Sequence, residues 1–305
     1  MNSTAFHADE VAAQVHAGSH ARSVGIRDFL PEQHRLFFAQ LPQIFLATTD
    51  AAGWPLATVL EGNPGFVQAP DPATLVVQAL PAPGDPAAAT LSVGQEAGLL
   101  GIDLATRRRN RANGVVSHLD ADGFALTVQQ SFGNCPQYIQ RRSMIRTPAI
   151  AGTPRCLAAL DEDARTLIAQ ADTFFVATRS RAGVGAGGGA DISHRGGRPG
   201  FVAIDGDTLL IPDFRGNGYF NTLGNLLGEP RASLLFLDFE SGDVLQLQGQ
   251  ASIDWSGGAS FEGAERLWSF RVLQGWYRPQ AATLHATEVE YAPTTLRTGT
   301  WTRSA

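Results

Sequence analysis

Asp213, Arg215, Asn217, Asn221 and Thr222 crowd together where the apolar run DTLLIP gives way to DFRGNGYFNTLGNLLGEPR. The pattern is a strand end turning into a short helix, which is a place to hold a phosphate. The first N–H groups of a helix have no intrahelical acceptor and sit at the positive end of its dipole. Asn and Thr side chains cap such an end and donate to an anion, and arginine meets phosphate oxygens with paired N–H bonds. Ser193 and Arg195 lie on the preceding segment, which a hairpin brings alongside. The competing reading is an ordinary capped surface helix with a solvated arginine.

Other patterns imitate chemistry without its context. Gly185, Gly187 and Ala190 fit G-x-G-x-x-A after the strand-like TFFVATR. A dinucleotide fingerprint must open a helix, however, and DISHRGGRPG has no helical period, so a surface loop is expected. His16 and His20 stand four apart but lack the glutamate of a metalloprotease pair. No G-x-S-x-G occurs, and Cys135 has no histidine near it in sequence to activate it. The run Arg107, Arg108, Arg109 and Arg111 reads as a hairpin turn that is either solvated or a dock for a nicotinamide-nucleotide phosphate or an acidic partner. In NCPQYIQRR, Cys135 and Tyr138 either edge a ligand or belong to a capped helix that packs Tyr138 and Ile139 inward. No acid or base for a substrate stands out, so catalytic residues stay unassigned.

Composition removes whole classes of function. All 23 basic residues are arginine, which excludes a P-loop lysine, a pyridoxal Schiff base and any lysine nucleophile. A net charge of -6 argues against a nucleic-acid footprint. No run of 18 apolar residues and no signal-like N-terminus are present, and two cysteines give no disulfide framework; a cytoplasmic protein away from membranes is expected.

The elements that position the polar cluster come from an internal repeat. Phe45-Leu46-Ala47-Thr48 recurs as Phe175-Val176-Ala177-Thr178, and Pro64-Gly65-Phe66-Val67 as Pro199-Gly200-Phe201-Val202. Leu99, Leu100, Asp103 and Gly114 recur at Leu234, Leu235, Asp238 and Gly249, all at a shift of 135. Each copy reads as a helix (31–41 or 160–171), short β-rich runs and a small interrupting helix, DPAAATL or YFNTLGNLL. The fold expected is mainly β: two tandem small barrels with short flanking helices. The boundaries are a helical extension over 1–26, a first copy over 27–146, a linker over 147–156 and a second copy over 157–305. That second copy is expected to carry a C-terminal helix in FEGAERLWSFRVLQG, on the spacing of Leu267, Phe270 and Leu273. The repeat also serves as an internal control. At a shift of 135, Arg195, Arg215, Asn221 and Thr222 fall on Leu60, Leu80, Pro86 and Ala87, so a ligand confined to the second copy accounts for the difference.

The segments DISHRGGRPGFV, LLIPDFRGN, NTLGNLLGEPR, LLFLDFESGDVLQLQGQA and FGNCPQYIQRR together resemble the FMN-binding split-barrel family related to pyridoxamine 5'-phosphate oxidase, over about residues 27 to 290. The branch most resembled is often joined to a ferredoxin-reductase-like module. The resemblance implies two tandem split β-barrels with FMN as cofactor, its phosphate near Ser193, Arg195, Arg215, Asn217, Asn221 and Thr222. It also implies an isoalloxazine ring between barrels, and a second barrel supplied by the tandem chain in place of a homodimer partner, with homodimer formation left open. The Arg-Leu-x-Pro ending of true pyridoxamine phosphate oxidases is absent, so another FMN-dependent oxidoreductase is expected, acting on a small molecule or a separate reductase, with NAD(P)H as a candidate donor. A non-catalytic flavin-binding or stress-related module, or a haem-binding split barrel using His194, are the alternatives.

Overall fold

The computed structural model describes residues 5–19, 25–148, 152–185 and 187–301. A first helix, α1 (Ala8–His16), precedes α2 (Glu32–Gln40) and the strands β1 (Gln43–Thr49), β2 (Pro55–Glu61), β3 (Val67–Asp71) and β4 (Thr74–Val77). A 3-10 turn over Pro86–Ala89 leads to β5 (Glu96–Asp103), β6 (Arg108–Leu119), β7 (Phe124–Gly133), β8 (Arg141–Arg146) and β9 (Arg155–Leu157). The sequence of elements then repeats as α3 (Glu162–Gln170), β10 (Thr173–Arg179), β11 (Ala190–Gly196), β12 (Ala203–Asp205) and β13 (Thr208–Phe214). It ends with α4 (Asn221–Gly228), β14 (Arg231–Leu237), β15 (Val244–Asp254), β16 (Ala264–Arg278) and β17 (Leu284–Glu290).

Two antiparallel sheets carry the same strand order, β2-β1-β5-β6-β7-β4-β3 and β11-β10-β14-β15-β16-β13-β12. The register repeats as well. Both long hairpins slip at a glycine, Gly114 in β6 and Gly249 in β15. A Cβ there would fall 1.9 Å from the Thr127 carbonyl oxygen or 2.2 Å from that of Arg271, closer than any side chain allows. The paired turns at Gly65 and Gly200 both need the left-handed φ that glycine supplies, +97° and +87°.

The central strands are buried on both faces because each serves two cores. In β1 and β10, Ile44, Leu46, Phe174 and Val176 point into their own barrels. The alternate residues Phe45, Ala47, Phe175 and Ala177 meet in a third apolar cluster between the barrels. Phe45 and Phe175, equivalent in the repeat, stack with ring centroids 3.5 Å apart. β2 packs on β14 and β10, and β5 and β1 on β11, as a two-fold relation between copies requires. Beyond the repeat, β8 and β17 form a separate two-stranded ribbon, and β9, at the end of the expected linker, adds to β16. Residues 149–151 of that linker lie outside the described residues.

Two local expectations are corrected. The segment expected as a C-terminal helix is β16, paired with β13, β15 and β9. Trp268, Phe270 and Val272 alternate into the barrel, while Leu273, which suggested helical spacing, is 37% exposed. Nor is there a helix at NCPQYIQRR. Pro136 removes a donor, Tyr138 takes a φ of +62°, and its carbonyl oxygen approaches Gly196 so closely that a Cβ there would lie 2.0 Å away. The glycine-rich stretch between β10 and β11 leads into a strand, as expected of a loop; Ala186 within it is outside the described residues. No helix among the described residues is long and apolar enough to cross a membrane.

Candidate functional site

All six residues singled out from the sequence line one cleft of about 440 Å³. That is inside the range of about 300 to 1,000 Å³ typical of small-molecule sites. Its floor is β11, where Ser193 and Arg195 alternate with His194; its far wall is the end of β13 and the first turn of α4. The turn between them is set by Asn217, whose Oδ1 accepts from the Tyr219 N–H at 3.1 Å. Asn217 is therefore exposed and shapes the loop, and Arg215 is exposed at the rim. Thr222 is buried in the first turn of α4, with 3% of its surface exposed. That helix begins at Phe220 with a φ of +60° and no side-chain cap, so its leading N–H groups are open to a ligand.

The near wall belongs to the other barrel, and local sequence reasoning missed it. Arg109, Arg111 and Asn113 alternate along one face of β6. Arg111 is buried and forks three ways: 2.7 Å to Asp191 Oδ1, 2.6 Å to Ser193 Oγ and 3.2 Å to Asn221 Oδ1. Arg109 donates to His194 Nδ1 at 3.3 Å and makes no ion pair among the described residues. Burial, with Arg111 beside it, pulls the Arg109 guanidinium down to about 9, still cationic at neutral pH. The signal for these residues was the period-2 spacing of arginines in a β-rich run. The run itself divides: Arg107 bonds the Ile139 carbonyl and Glu290, and exposed Arg108 lies over Phe37 at 5.3 Å. Of the two readings of this run, solvation fits Arg108, while Arg107, Arg109 and Arg111 are taken up by partners within the protein.

Charge is only partly balanced. Asp213 is shared by Arg195 and Arg266, and Arg266 lies 4.8 Å from the Phe220 ring. Among the described residues Arg109 and Arg215 have no carboxylate partner, so the cleft is set for an anion. His194 is held neutral: burial first, then Arg109, Arg142 and Arg195, push its pKa well below the ordinary 6.5. Its Nε2 is buried and unpartnered, and its ring meets Phe175 edge-on at 5.7 Å, so it acts as part of the wall. Tyr138 stacks on Phe214 at 5.1 Å and, with free Cys135, borders the less charged end.

The N-terminal helix packs against one wall of this site, and the residues just after it, Ala17 to Ser19, reach the cleft. α1 packs on α4, with Gly224 leaving room for Glu10; a Cβ on Gly224 would sit 2.6 Å from the Glu10 Cα. His7 Nε2 pairs with Asn225 Oδ1 at 2.9 Å, and Asn221 Nδ2 donates to Glu10 Oε1. Burial lifts the Glu10 carboxyl to about 7, against the pull of hydrogen bonds from Asn221 and the His7 N–H. His16, in place of metal chemistry, stacks on Trp255 at 5.1 Å; His20 lies outside the described residues.

Fold and site together define a duplicated split barrel with an anion cleft between its halves. Within it, residues 160–290 match the family model described as pyridoxamine 5'-phosphate oxidase, and this half of the chain is a split barrel related to that family. Among solved structures, HupZ from Group A Streptococcus matches at 15% identity and a TM-score of 0.31, over 41% of this chain and 97% of that one. A FAD-binding protein from Mesorhizobium loti matches at 12% and 0.28, over 41% and 97%. General Stress Protein 26 from Bacillus anthracis matches at 12% and 0.23, over 42% and 93%. A search of curated proteins finds no match.

Proposed function

We propose that this chain is an FMN-binding flavoprotein and an oxidoreductase, with the flavin phosphate held at the start of α4. The observation that carries the reading is an uncapped helix start facing Arg111, Ser193 and Thr222 in a cleft with surplus positive charge. A phosphate dianion answers each feature: it accepts from the open N–H groups, from hydroxyls and from guanidinium. The family match over 160–290 supports a flavin over other phosphates. When bound, the flavin would supply hydride or electron transfer. The chain's own residues bind and orient it: Arg109 and Arg111 bring charge from the first barrel, Arg215 adds charge at the rim, and Tyr138 with Phe214 offers an aromatic border. α1 braces the first turn of α4 through the bond from Asn221 to Glu10.

The absorption spectrum of the purified protein and the cofactor released on denaturation test this directly. Flavin bands and one FMN per chain are expected; a Soret band would establish the haem alternative, and FAD or no flavin would remove the proposal. Turnover is tested separately by anaerobic mixing with NAD(P)H, alone or through an added reductase. Bleaching followed by reoxidation in air is expected, whereas a flavin that stays oxidised with every donor would mark a binding module.

A further inference from the structure

The duplication predicts a second cleft, and the first copy shows what became of it. The shift of 135 that carries β2 onto β11 sets Thr58 on Ser193, Asp85 on Phe220 and Arg111 on Gln246. The last strands match through their partners: Arg111 pairs with Phe132 and Gln246 with Trp276, which sets Asn134 on Arg278. Ser193, Arg111 and Asn134 around the open cleft thus have counterparts in Thr58, Gln246 and Arg278. These counterparts already grip an anion, the carboxylate of Asp85. Arg278 reaches its Oδ2 at 2.8 Å, Thr58 Oγ1 donates to the same oxygen, and Gln246 Nε2 donates to Oδ1 at 3.0 Å. The Ala87 N–H adds a fourth donor at 2.8 Å, and Arg278 Nε is braced on Gln246 Oε1 at 3.0 Å. All four side chains are buried, with at most 5% exposed. In the second copy the Asp85 position is Phe220, whose left-handed backbone and apolar ring leave the equivalent donors facing the cleft.

We infer that Asp85 is the built-in anion of the first copy: its carboxylate stands where the second copy leaves room for a ligand's oxyanion, and it closes the first copy to ligands from solution. The site is therefore a carboxylate site, and with Asp85 cut back to alanine it takes a small carboxylate such as formate or acetate. Asp85 is the residue that sets one ligand per chain. This goes beyond the flavin reading and needs no flavin.

The test is chemical rescue in the full chain. Asp85→Ala should lower the melting temperature by several degrees, and formate should restore at least half of that loss relative to chloride at equal ionic strength. Formate should do nothing of the kind for the wild-type chain or for Asp85→Ala combined with Arg278→Met. Equal effects of formate and chloride on Asp85→Ala would overturn the inference. Should Asp85→Ala not fold in chloride, the soluble yield on refolding in formate against chloride gives the same readout. Asp85→Asn, which keeps the cap and fills the space, should be insensitive to formate; rescue there would also count against a vacated carboxylate site. Flavin is counted in parallel on the wild-type chain: rescue without flavin sinks only the proposed function, and flavin without rescue sinks only this inference.

Discussion

Arg215 and Arg111 exchange importance between sequence and structure. The exposed rim position of Arg215 means its bond to an anion is shared with water, so Arg215→Ala should weaken flavin binding by no more than about 1 kcal/mol. Arg111 is buried and tied to Ser193, Asn221 and Asp191, so Arg111→Met should cost about 1.5 to 3 kcal/mol of affinity, read by fluorescence titration of the apoprotein. Equal losses in the two variants would place the phosphate at the rim. Asn221 and Thr222 could be brought together from sequence because a strand-to-helix junction is local, whereas Ser193, on β11, came from a separate segment. Arg111 was not legible, since its partners lie 82 and 110 residues away in the other barrel. Asp85 was legible in principle: the same shift that set Asn221 on Pro86 sets Phe220 on Asp85, one residue earlier.

At the scale of elements, α1 is held by two buried titratable groups whose pKa values shift in opposite senses, Glu10 upward and His7 downward. Glu10 has its pKa raised to about 7, so its docked state favours the protonated form. Its contribution is complete below the ordinary carboxylate range and is lost as pH rises through about 7. His7 acts oppositely: burial lowers its pKa, so its contribution is present above the usual 6.5 and is lost as pH falls through the lowered value. Asp9, Asp191, Arg111 and Arg181 also face this pair. Amide exchange across α1, corrected for its intrinsic pH dependence, should therefore quicken as pH rises towards about 7 and level off above it, most steeply above about pH 6.5, where His7 no longer opposes the change. Glu10→Gln should abolish that rise, and a rise that survives it would assign the pH dependence elsewhere. Gly249→Ala should destabilise the second barrel by more than about 2 kcal/mol in denaturant titration, because the added methyl meets backbone. The strands around Gly249 were legible from their β-rich runs. β16 was not, because apolar residues at spacing three also occur where a strand is buried on both sides for part of its length.

For the whole molecule, the repeat was the most legible feature, since equal spacings of apolar and glycine residues fix equal strand orders. What spacing could not show was which faces meet. The stack of Phe45 on Phe175 settles that, and Phe45→Ala should cost about 3 to 5 kcal/mol, visible as a lower melting temperature. A loss well under 1 kcal/mol would mean that the halves do not rely on this contact.

The join across Phe45 and Phe175 also governs what variation the cleft can accept. In a pair of identical chains, every change is made twice, once on each side of the axis, so a residue that improves one cleft is imposed on the other. A tandem chain breaks that bond. Arginine stands at 111 while glutamine stands at 246, and phenylalanine at 220 while aspartate stands at 85, so the two clefts are free to follow separate histories. Because both walls of the cleft share one backbone, its halves also meet at an effective concentration that dilution does not change.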